Sequence, residues 1–134
     1  MSAFEIAFHR QHPISAQAVC ILYDSTGWWP ERREEEITQI LDSGPAIGAW
    51  DGELLVGFAR AVSDHHFRAY IEDLIIHPDY RSMGLGRLLL TRLMEALEHV
   101  DTVSLFCAPE LVPFYERNGF KCIPSQQVIH WKNR

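Results

Sequence analysis

The chain has 134 residues, of which 47% are hydrophobic and 22% are charged, and its formal net charge is −6 at pH 7. This length and composition exclude a disordered tail and predict a single folded domain over residues 1–134, with a core that needs no metal or disulfide support. The acidic balance argues against a nucleic-acid partner, and the lack of a signal peptide or of an apolar run of ~18 residues predicts a cytoplasmic protein with no membrane partner.

The N-terminal part of the chain predicts one strand followed by two helices. Residues 4–9 alternate weakly between polar and apolar side chains, as a half-buried strand does. Ser15 is a suitable N-cap for a helix that ends near residue 25, before Gly27-Trp28-Trp29-Pro30. Residues 31–41 place their isoleucines and the last leucine on one face, which predicts a second helix.

Three consecutive strands are predicted next. Residues 46–50 and 54–62 are apolar runs joined through Asp51-Gly52, which is a strong signal for a tight hairpin. Residues 69–77 are rich in β-branched side chains and end at Pro78.

The C-terminal part predicts two helices, each followed by strand. A leucine-lined helix over residues 84–98 leads to a buried strand over 102–107, and a short helix over 110–118 leads to two closing strands, 120–123 and 127–131. The order β-α-α-β-β-β-α-β-α-β-β predicts a mixed α/β (α+β) fold, with one central mixed sheet flanked by helices.

The clearest chemical signal lies where the third helix begins. A buried strand leads through a turn to Arg81-x-x-Gly84-x-Gly86-Arg87. The first N–H groups of a helix have no intrahelical partner, glycines let them approach a ligand closely, and the arginines add positive charge. The turn therefore predicts an anion site that suits a pyrophosphate. The Gly-Lys-Ser/Thr of a Walker loop and the third glycine of a Rossmann turn are both missing.

At these residues the chain resembles the GNAT superfamily of acetyl-CoA-dependent N-acetyltransferases. The Arg/Gln-x-x-Gly-x-Gly/Ala hallmark of that family is matched by Arg81-Ser82-Met83-Gly84-Leu85-Gly86. Residues 114–120, FYERNGF, resemble the family's Phe-Tyr-x-x-x-Gly-Phe. The resemblance covers nearly the whole chain, is strongest over residues 46–120, and implies one GNAT-fold domain.

The resemblance implies how acetyl-CoA is held. The strand that ends before Pro78 would splay from the strand over 102–107, and its backbone near Leu74, Ile75 and Ile76 would bind the pantetheine arm and polarise the thioester carbonyl. Many members have an Asn that contacts this arm, and Ala108 stands at that place here. The turn that would cradle the pyrophosphate consists of Arg81, Ser82, Met83, Gly84, Leu85, Gly86 and Arg87.

Acetyl transfer to an amine needs a base for the ammonium and an acid for the departing thiolate. Tyr115 matches the general acid usual in the family, and its alternative role is packing beside Phe114 and Phe120. Glu72 and Asp73 are the candidate bases. Adjacent strand residues face opposite sides, so only one of them faces the site unless a bulge intervenes. A resemblance to polyamine acetyltransferases favours Glu72, with Asp73 and a purely structural carboxylate as the alternatives.

The acceptor is predicted to meet Trp28, Trp29 and Glu72, because the family usually builds its acceptor wall between the first two helices. Residues 1–76 carry 12 acids and 5 bases, a charge of −7, whereas residues 77–134 carry 6 acids and 7 bases, a charge of +1. Opposite charge attracts the substrate, so we expect a cationic acceptor. The alternative is that the acids of residues 34–36 are a solvated helix face.

The resulting hypothesis is transfer from acetyl-CoA to a primary amine of a small cationic molecule, by direct attack in a ternary complex. Acetylation of a protein lysine or N-terminal amine is the alternative within the enzymes, and a non-catalytic CoA-binding sensor or interaction module is the rival of another class. Many family members dimerise, so a homodimer is a state to test.

No metal or covalent thiol chemistry is predicted. Cys20, Cys107 and Cys122 form no CxxC pair and are interpreted as reduced thiols. His65 and His66 fall in a polar loop with no partner at a metal-ligand spacing.

Overall fold

The structure is a computed structural model that describes residues 4–133. Its strands form one five-stranded sheet in the order β1-β2-β3-β4-β5. All neighbouring strands are antiparallel except β4 and β5, which are parallel. The mixed α/β class is therefore confirmed. The strands are β1 Glu5–Phe8, β2 Ala46–Asp51, β3 Leu54–Ser63, β4 Arg68–Ile76 and β5 Thr102–Leu105.

The predicted helices form, with shifted ends. The Ser15 hydroxyl accepts a 3.2 Å hydrogen bond from the Ala18 amide, which confirms it as the cap of the first helix. The second helix begins three residues later than expected because the chain before it folds against the sheet. Short 3-10 turns, Pro78–Tyr80 and Pro109–Leu111, precede the last two helices. The helices are α1 Ala16–Thr26, α2 Glu34–Leu41, α3 Leu85–Ala96 and α4 Val112–Arg117.

Helices cover both faces of the sheet. On one face, α1 and α2 bury Val19, Leu22 and Ile37 against Phe58 of β3. On the other, α3 buries a row of leucines that includes Leu89 against β2, β3 and β4. Complete burial of each such side chain stabilises the fold by about 2 kcal/mol. Because both faces of the sheet are packed against helices, the backbone of β4 is held in a fixed position.

A β-bulge interrupts β4 at Glu72. The pairing with β3 matches Arg60 to Asp73, but the next residue of β3 matches Ile71, so Glu72 is the extra residue. Ile71 belongs to the core under α3, whereas Ile75 belongs to the core under α1 and α2. Residues four apart on a regular strand share a face, so the bulge exchanges the two faces of β4.

The parallel ladder between β4 and β5 is short. It runs from Arg68 opposite Thr102 to Ile71 opposite Leu105, and beyond that pair β4 continues to Ile76 without a β5 partner. The backbone of residues 72–76 is therefore left open on this side of the sheet. The opening lies directly before the turn that leads to α3.

The two closing strands expected from the sequence are absent from residues 120–133. These residues are almost all exposed, and Ile129 and Trp131 are each 89% exposed. The backbone hydrogen bond donated within residues 121–133 runs from the Gln126 amide to the Ile123 carbonyl and closes a turn. Pro124 lacks an N–H group, and a strand needs a neighbour that pairs with its backbone. Alternating side chains alone do not supply that neighbour.

No helix within residues 4–133 combines the length and apolar character that crossing a bilayer requires.

Candidate active site

The turn before α3 has a strained backbone. Ser82 has φ +65° and Gly84 has φ +83°, both in the left-handed region. Such a conformation costs a non-glycine residue about 1–3 kcal/mol, and strain of this kind is concentrated at functional sites. Before it, the His77 Nδ1 atom accepts a 3.1 Å hydrogen bond from the Asp79 amide and fixes the preceding 3-10 turn.

The first turn of α3 presents free donors. Its first intrahelical bond is donated by the Leu88 amide to the Gly84 carbonyl at 3.1 Å, so the amides of residues 85–87 lie before the helical ladder. A Cβ added at Gly84 would meet no atom within 4 Å. Arg81 donates from Nε to the Ile76 carbonyl at 3.3 Å, and neither Arg81 nor Arg87 has an ion-pair partner within residues 4–133. These residues fit the pyrophosphate of a nucleotide-type ligand.

The bulge in β4 brings Glu72 and Asp73 to the same guanidinium. The Arg32 Nη2 atom donates to Glu72 Oε1 at 2.9 Å, and Arg32 Nη1 lies 3.7 Å from Asp73 Oδ2. A regular strand would separate the two carboxylates, and the bulge at Glu72 removes that separation. Both candidate bases are therefore directed to the side covered by α1.

Asp73 is enclosed by donors. Its side chain is fully buried, and it accepts hydrogen bonds from Tyr23 Oη at 2.7 Å, Trp29 Nε1 at 3.2 Å and Arg60 Nε at 3.0 Å. Burial, followed by the charge of Asp73, raises the pKa of Tyr23, so its hydroxyl remains a donor. Glu72 keeps 17% of its side chain exposed. Of the two carboxylates, Glu72 is the one that a substrate can reach.

The two tryptophans take different roles. Trp29 adopts φ +51°, bonds Asp73, and lies under the Arg32 guanidinium at 3.9 Å from the ring centre. Trp28 is exposed and has none of these contacts. The loop between α1 and α2 is thus attached to β4 through Trp29 and Arg32, next to the bulge.

An acid-rimmed groove opens beside this loop. Its volume is about 540 Å³, and Trp29 and Arg32 form part of its wall. The other lining residues are Cys20, Asp24, Pro30, Arg33, Glu34 and Glu35. The acidic start of α2 therefore faces this groove, whereas the sequence left open whether it was only a solvated surface.

Tyr115 lies on α4 between two aromatic rings. The ring centres of Phe114 and Phe120 are 5.0 Å and 5.8 Å from it, both edge-on. Its hydroxyl forms no hydrogen bond with residues 4–133. Burial, and to a lesser extent Cys107, raises the pKa of Tyr115, which keeps the phenol protonated. Its ring packs, and its hydroxyl remains available as a donor.

The thiols and the loop histidines form no reactive centre. Burial raises the pKa of Cys107, so its thiol is not an activated nucleophile. Within residues 4–133 there is no group of three or more His, Cys, Asp or Glu side chains arranged to hold a metal ion.

Sequence reasoning missed three residues of the site, namely Tyr23, Arg32 and Arg60. Each contacts Asp73, but Tyr23 is 50 positions away along the chain and Arg32 is 41 away. No local motif connects such residues. The only sequence signal was that Asp73 lies in an apolar strand, where a buried carboxylate needs donors from elsewhere in the chain.

Comparison with known proteins identifies the family. The profile described as "Acetyltransferase (GNAT) family" matches residues 16–120. An uncharacterized N-acetyltransferase ycf52 from Pyropia yezoensis is 46% identical over 105 residues, which is 74% of this chain and 60% of that protein. Histone acetyltransferase TAP1 from Glycine max is 30% identical over 123 residues, 81% of this chain and 52% of that protein.

A third curated relative and two solved structures are also similar to this chain. Serotonin N-acetyltransferase 2, chloroplastic, from Oryza sativa subsp. japonica is 31% identical over 104 residues, 72% of this chain and 52% of that protein. The chain therefore spans about 60% or less of the length of these curated relatives. A GNAT family acetyltransferase from Streptococcus pneumoniae TIGR4 has a TM-score of 0.83 and 26% identity, covering 98% of this chain and 99% of its own. Aminoglycoside N-acetyltransferase AAC(6′)-Iy in complex with CoA, at 18% identity and TM-score 0.75, covers 100% of this chain and 97% of its own and shares the fold.

Proposed function

The chain belongs to the GNAT acetyltransferase family, and from that premise we propose that it transfers the acetyl group of acetyl-CoA to a primary amine of a small cationic molecule. The observation that supports the proposal is that three features follow one another along β4 and into α3. Open backbone on β4 leads into the donor-rich turn before α3, and the bulge residue Glu72 lies at the start of the opening.

The proposed binding of acetyl-CoA uses the two ends of this opening. The amides of residues 85–87, together with Arg81 and Arg87, hold the pyrophosphate. The backbone of Leu74, Ile75 and Ile76, on the edge that β5 leaves open, holds the pantetheine arm, and the Ile76 carbonyl is already bonded to Arg81. A Cβ added at Gly86 would lie 3.7 Å from Phe114 and 3.9 Å from Ile76, at ordinary contact distance, so this first turn of α3 lies close to both α4 and the end of β4. Ala108 offers no side-chain amide, so the backbone carries more of this binding.

The proposed chemistry is direct attack in a ternary complex. Glu72 accepts a proton from the acceptor ammonium, and the amine nitrogen then attacks the thioester carbonyl carbon. The carbon–sulfur bond breaks, and Tyr115 donates its phenolic proton to the departing sulfur. The amide nitrogen then releases its extra proton, a proton restores the Tyr115 phenol, and Glu72 returns its proton to solvent. The partial exposure of Glu72 and the free, protonated hydroxyl of Tyr115 support these roles. Asp73 is buried and holds the loop between α1 and α2 in place through its contacts with Trp29 and Arg32.

The proposed acceptor is a small amine that is cationic before it loses its proton. Support comes from the acid-rimmed groove at Trp29 and from the name of the rice relative, whose substrate, serotonin, is a primary amine. The local charge balance argues against a strongly charged acceptor, because Arg32 pairs with Glu72 and Arg60 pairs with Asp73.

Acetylation of a protein amine is the second candidate. The printed name of the Glycine max relative, a histone acetyltransferase, favours it. The rival of a non-catalytic CoA-binding module predicts binding without turnover, and the retention of Glu72 and Tyr115 argues against it.

Free-thiol release from acetyl-CoA, measured with a panel of amines, tests the proposal. The panel includes diamines, an indolylethylamine, a lysine-containing peptide and an N-terminal peptide. Saturable release with a small amine supports the proposal, and preference for a peptide favours the second candidate. CoA binding by calorimetry without turnover of any acceptor would overturn the proposal in favour of the binding module.

We propose one domain over residues 1–134, because the described strands form a single sheet. A cytoplasmic location and a homodimer stay predictions, and the rice relative is named as chloroplastic.

A further inference from the structure

The guanidinium of Arg32 lies in a cage made of carboxylate and aromatic groups. It donates to Glu72 Oε1 at 2.9 Å and lies 3.9 Å from the ring centre of Trp29. Asp73 Oδ2 is 3.7 Å from it and Tyr23 Oη is 3.4 Å from it. A carboxylate beside an aromatic face is the environment that binds a primary ammonium or a guanidinium. Arg32 is therefore bound by its own chain as a cationic ligand would be.

Asp73 has other hydrogen-bond and ion-pair partners besides Arg32. It has a separate ion-pair partner in Arg60 at 3.0 Å, and it accepts from Tyr23 and Trp29 as well. Without Arg32, the charges of Glu72, Asp73 and Arg60 would leave one net negative charge. Glu72 would then lack its cation. The contact that Arg32 alone supplies is thus the one to Glu72.

Arg32 also separates Glu72 from the groove described above. It lines the groove together with three carboxylates and one further arginine, while its Nη2 atom touches Glu72, which is not part of that lining. The carboxylates are those of Asp24, Glu34 and Glu35, and the arginine is Arg33. Its side chain is 22% exposed, so it is reachable from solvent. A cation drawn to the acidic rim meets Arg32 before it meets Glu72.

We propose that Arg32 is a specificity-determining residue that occupies the cation position at Glu72 and Trp29 until the ammonium of an acceptor displaces it. The inference rests on the proposed function, in which Glu72 receives the acceptor amine. Every acceptor that places its ammonium here bears the same cost of displacing the guanidinium, so a simple monoamine binds weakly and an amine with a second attachment point in the groove recovers the lost affinity there.

Binding of methylguanidinium tests this directly and needs no acceptor. The readout is the indole N–H resonance of Trp29, assigned with Trp29→Phe, because this N–H bonds Asp73 inside the cage. We expect Arg32→Ala to bind the probe about tenfold more tightly than the wild-type protein, which corresponds to one cation–aromatic and carboxylate contact regained. Arg32→Lys, which retains a cation, is the matched control and should bind like the wild type. The double variant Arg32→Ala with Glu72→Gln should lose the gain.

Equal probe affinity in Arg32→Ala and the wild type would overturn the proposal, as would equal gains in Arg32→Ala and Arg32→Lys. Thermal unfolding verifies that each variant is folded, and Arg32→Gln, which should show a smaller gain, replaces an unfolded Arg32→Ala. In turnover, Arg32→Ala should lower the acceptor KM by about tenfold. A fall in kcat that methylguanidinium restores would instead make Arg32 a positioning group for Glu72 and overturn the proposal. Absence of turnover in the wild type would contradict the proposed function and leave the binding result valid.

Discussion

Tyr23 of α1 donates a 2.7 Å hydrogen bond to Asp73 of β4, and both side chains are almost completely buried. This bond joins α1, which precedes the loop of residues 27–33, to the strand that carries the bulge. It also distinguishes the two adjacent carboxylates, because Asp73 is committed to the core while Glu72 remains at the surface of the site.

Asp73→Asn should therefore act mainly on stability, whereas Glu72→Gln should act mainly on turnover. Asp73→Asn leaves Arg60 without its anion in a buried setting and should lower the free energy of unfolding by about 3 kcal/mol. Glu72→Gln removes one partly exposed ion pair and should lower it by about 1 kcal/mol. With Glu72 as the base, Glu72→Gln should reduce kcat by roughly 10²-fold. Denaturant unfolding and steady-state kinetics measure the two effects, and a fully active Glu72→Gln enzyme would remove Glu72 from the chemistry.

Gly84→Val should abolish CoA binding because of its position in the turn before α3. Gly84 and Gly27 have similar left-handed φ values, +83° and +76°, and an added Cβ at either meets nothing within 4 Å. Valine should cost about 1–2 kcal/mol of stability at each position. Only Gly84 lies in the turn that we propose to hold the pyrophosphate, where a valine side chain would block close approach of the ligand, so Gly27→Val is a matched control that should retain binding. Calorimetry with CoA compares them, and retention of affinity in a folded Gly84→Val protein would exclude this turn as the cradle.

The sequence predicted the scaffold because the signals for it are local. The cap at Ser15, the hairpin at Asp51-Gly52 and the spaced leucines of α3 each act within a few residues, and the structure contains all three. The closing strands over 120–123 and 127–131 were wrong because pairing depends on a distant neighbour, which an alternating pattern does not reveal.

The site was only partly predictable. The turn before α3 and the positions of Glu72 and Tyr115 follow from motifs in one stretch of chain. The partners of Asp73 do not, since Arg32 and Arg60 come from a loop and a strand that folding brings together. No residue in the sequence of β4 requires a bulge at Glu72, so the bulge that brings both carboxylates to one guanidinium is visible only in the structure.

Tyr115→Phe tests whether the phenol donates a proton or only packs. The ring contacts with Phe114 and Phe120 survive the change, so stability should be kept while kcat falls by roughly 10²-fold. Because burial raises the pKa of Tyr115, the wild-type acid should stay protonated to a higher pH than a free tyrosine would. Tyr80→Phe, which removes an exposed hydroxyl bonded to Asp51, is the control and should leave kcat unchanged. Equal kcat values for Tyr115→Phe and wild type, where chemistry limits the rate, would assign Tyr115 to packing alone.

Asp64 should make the β3–β4 loop sensitive to acid. Its Oδ1 atom accepts from the amides of His66, Phe67 and Arg68 at 2.8 Å, 2.8 Å and 3.2 Å, which lowers the pKa of Asp64 from 3.8 to about 2. A carboxylate with a lowered folded-state pKa stabilises the fold above its unfolded pKa, and the effect disappears as the pH falls through the folded value. The Tm difference between wild type and Asp64→Asn should thus be constant above about pH 5 and close towards pH 2. Ser63→Ala removes a non-titrating bond from the same loop, so its Tm difference should not close in this range. A Tm difference between wild type and Asp64→Asn that persists unchanged at pH 2 would show that the three amide bonds do not depend on the charge of Asp64.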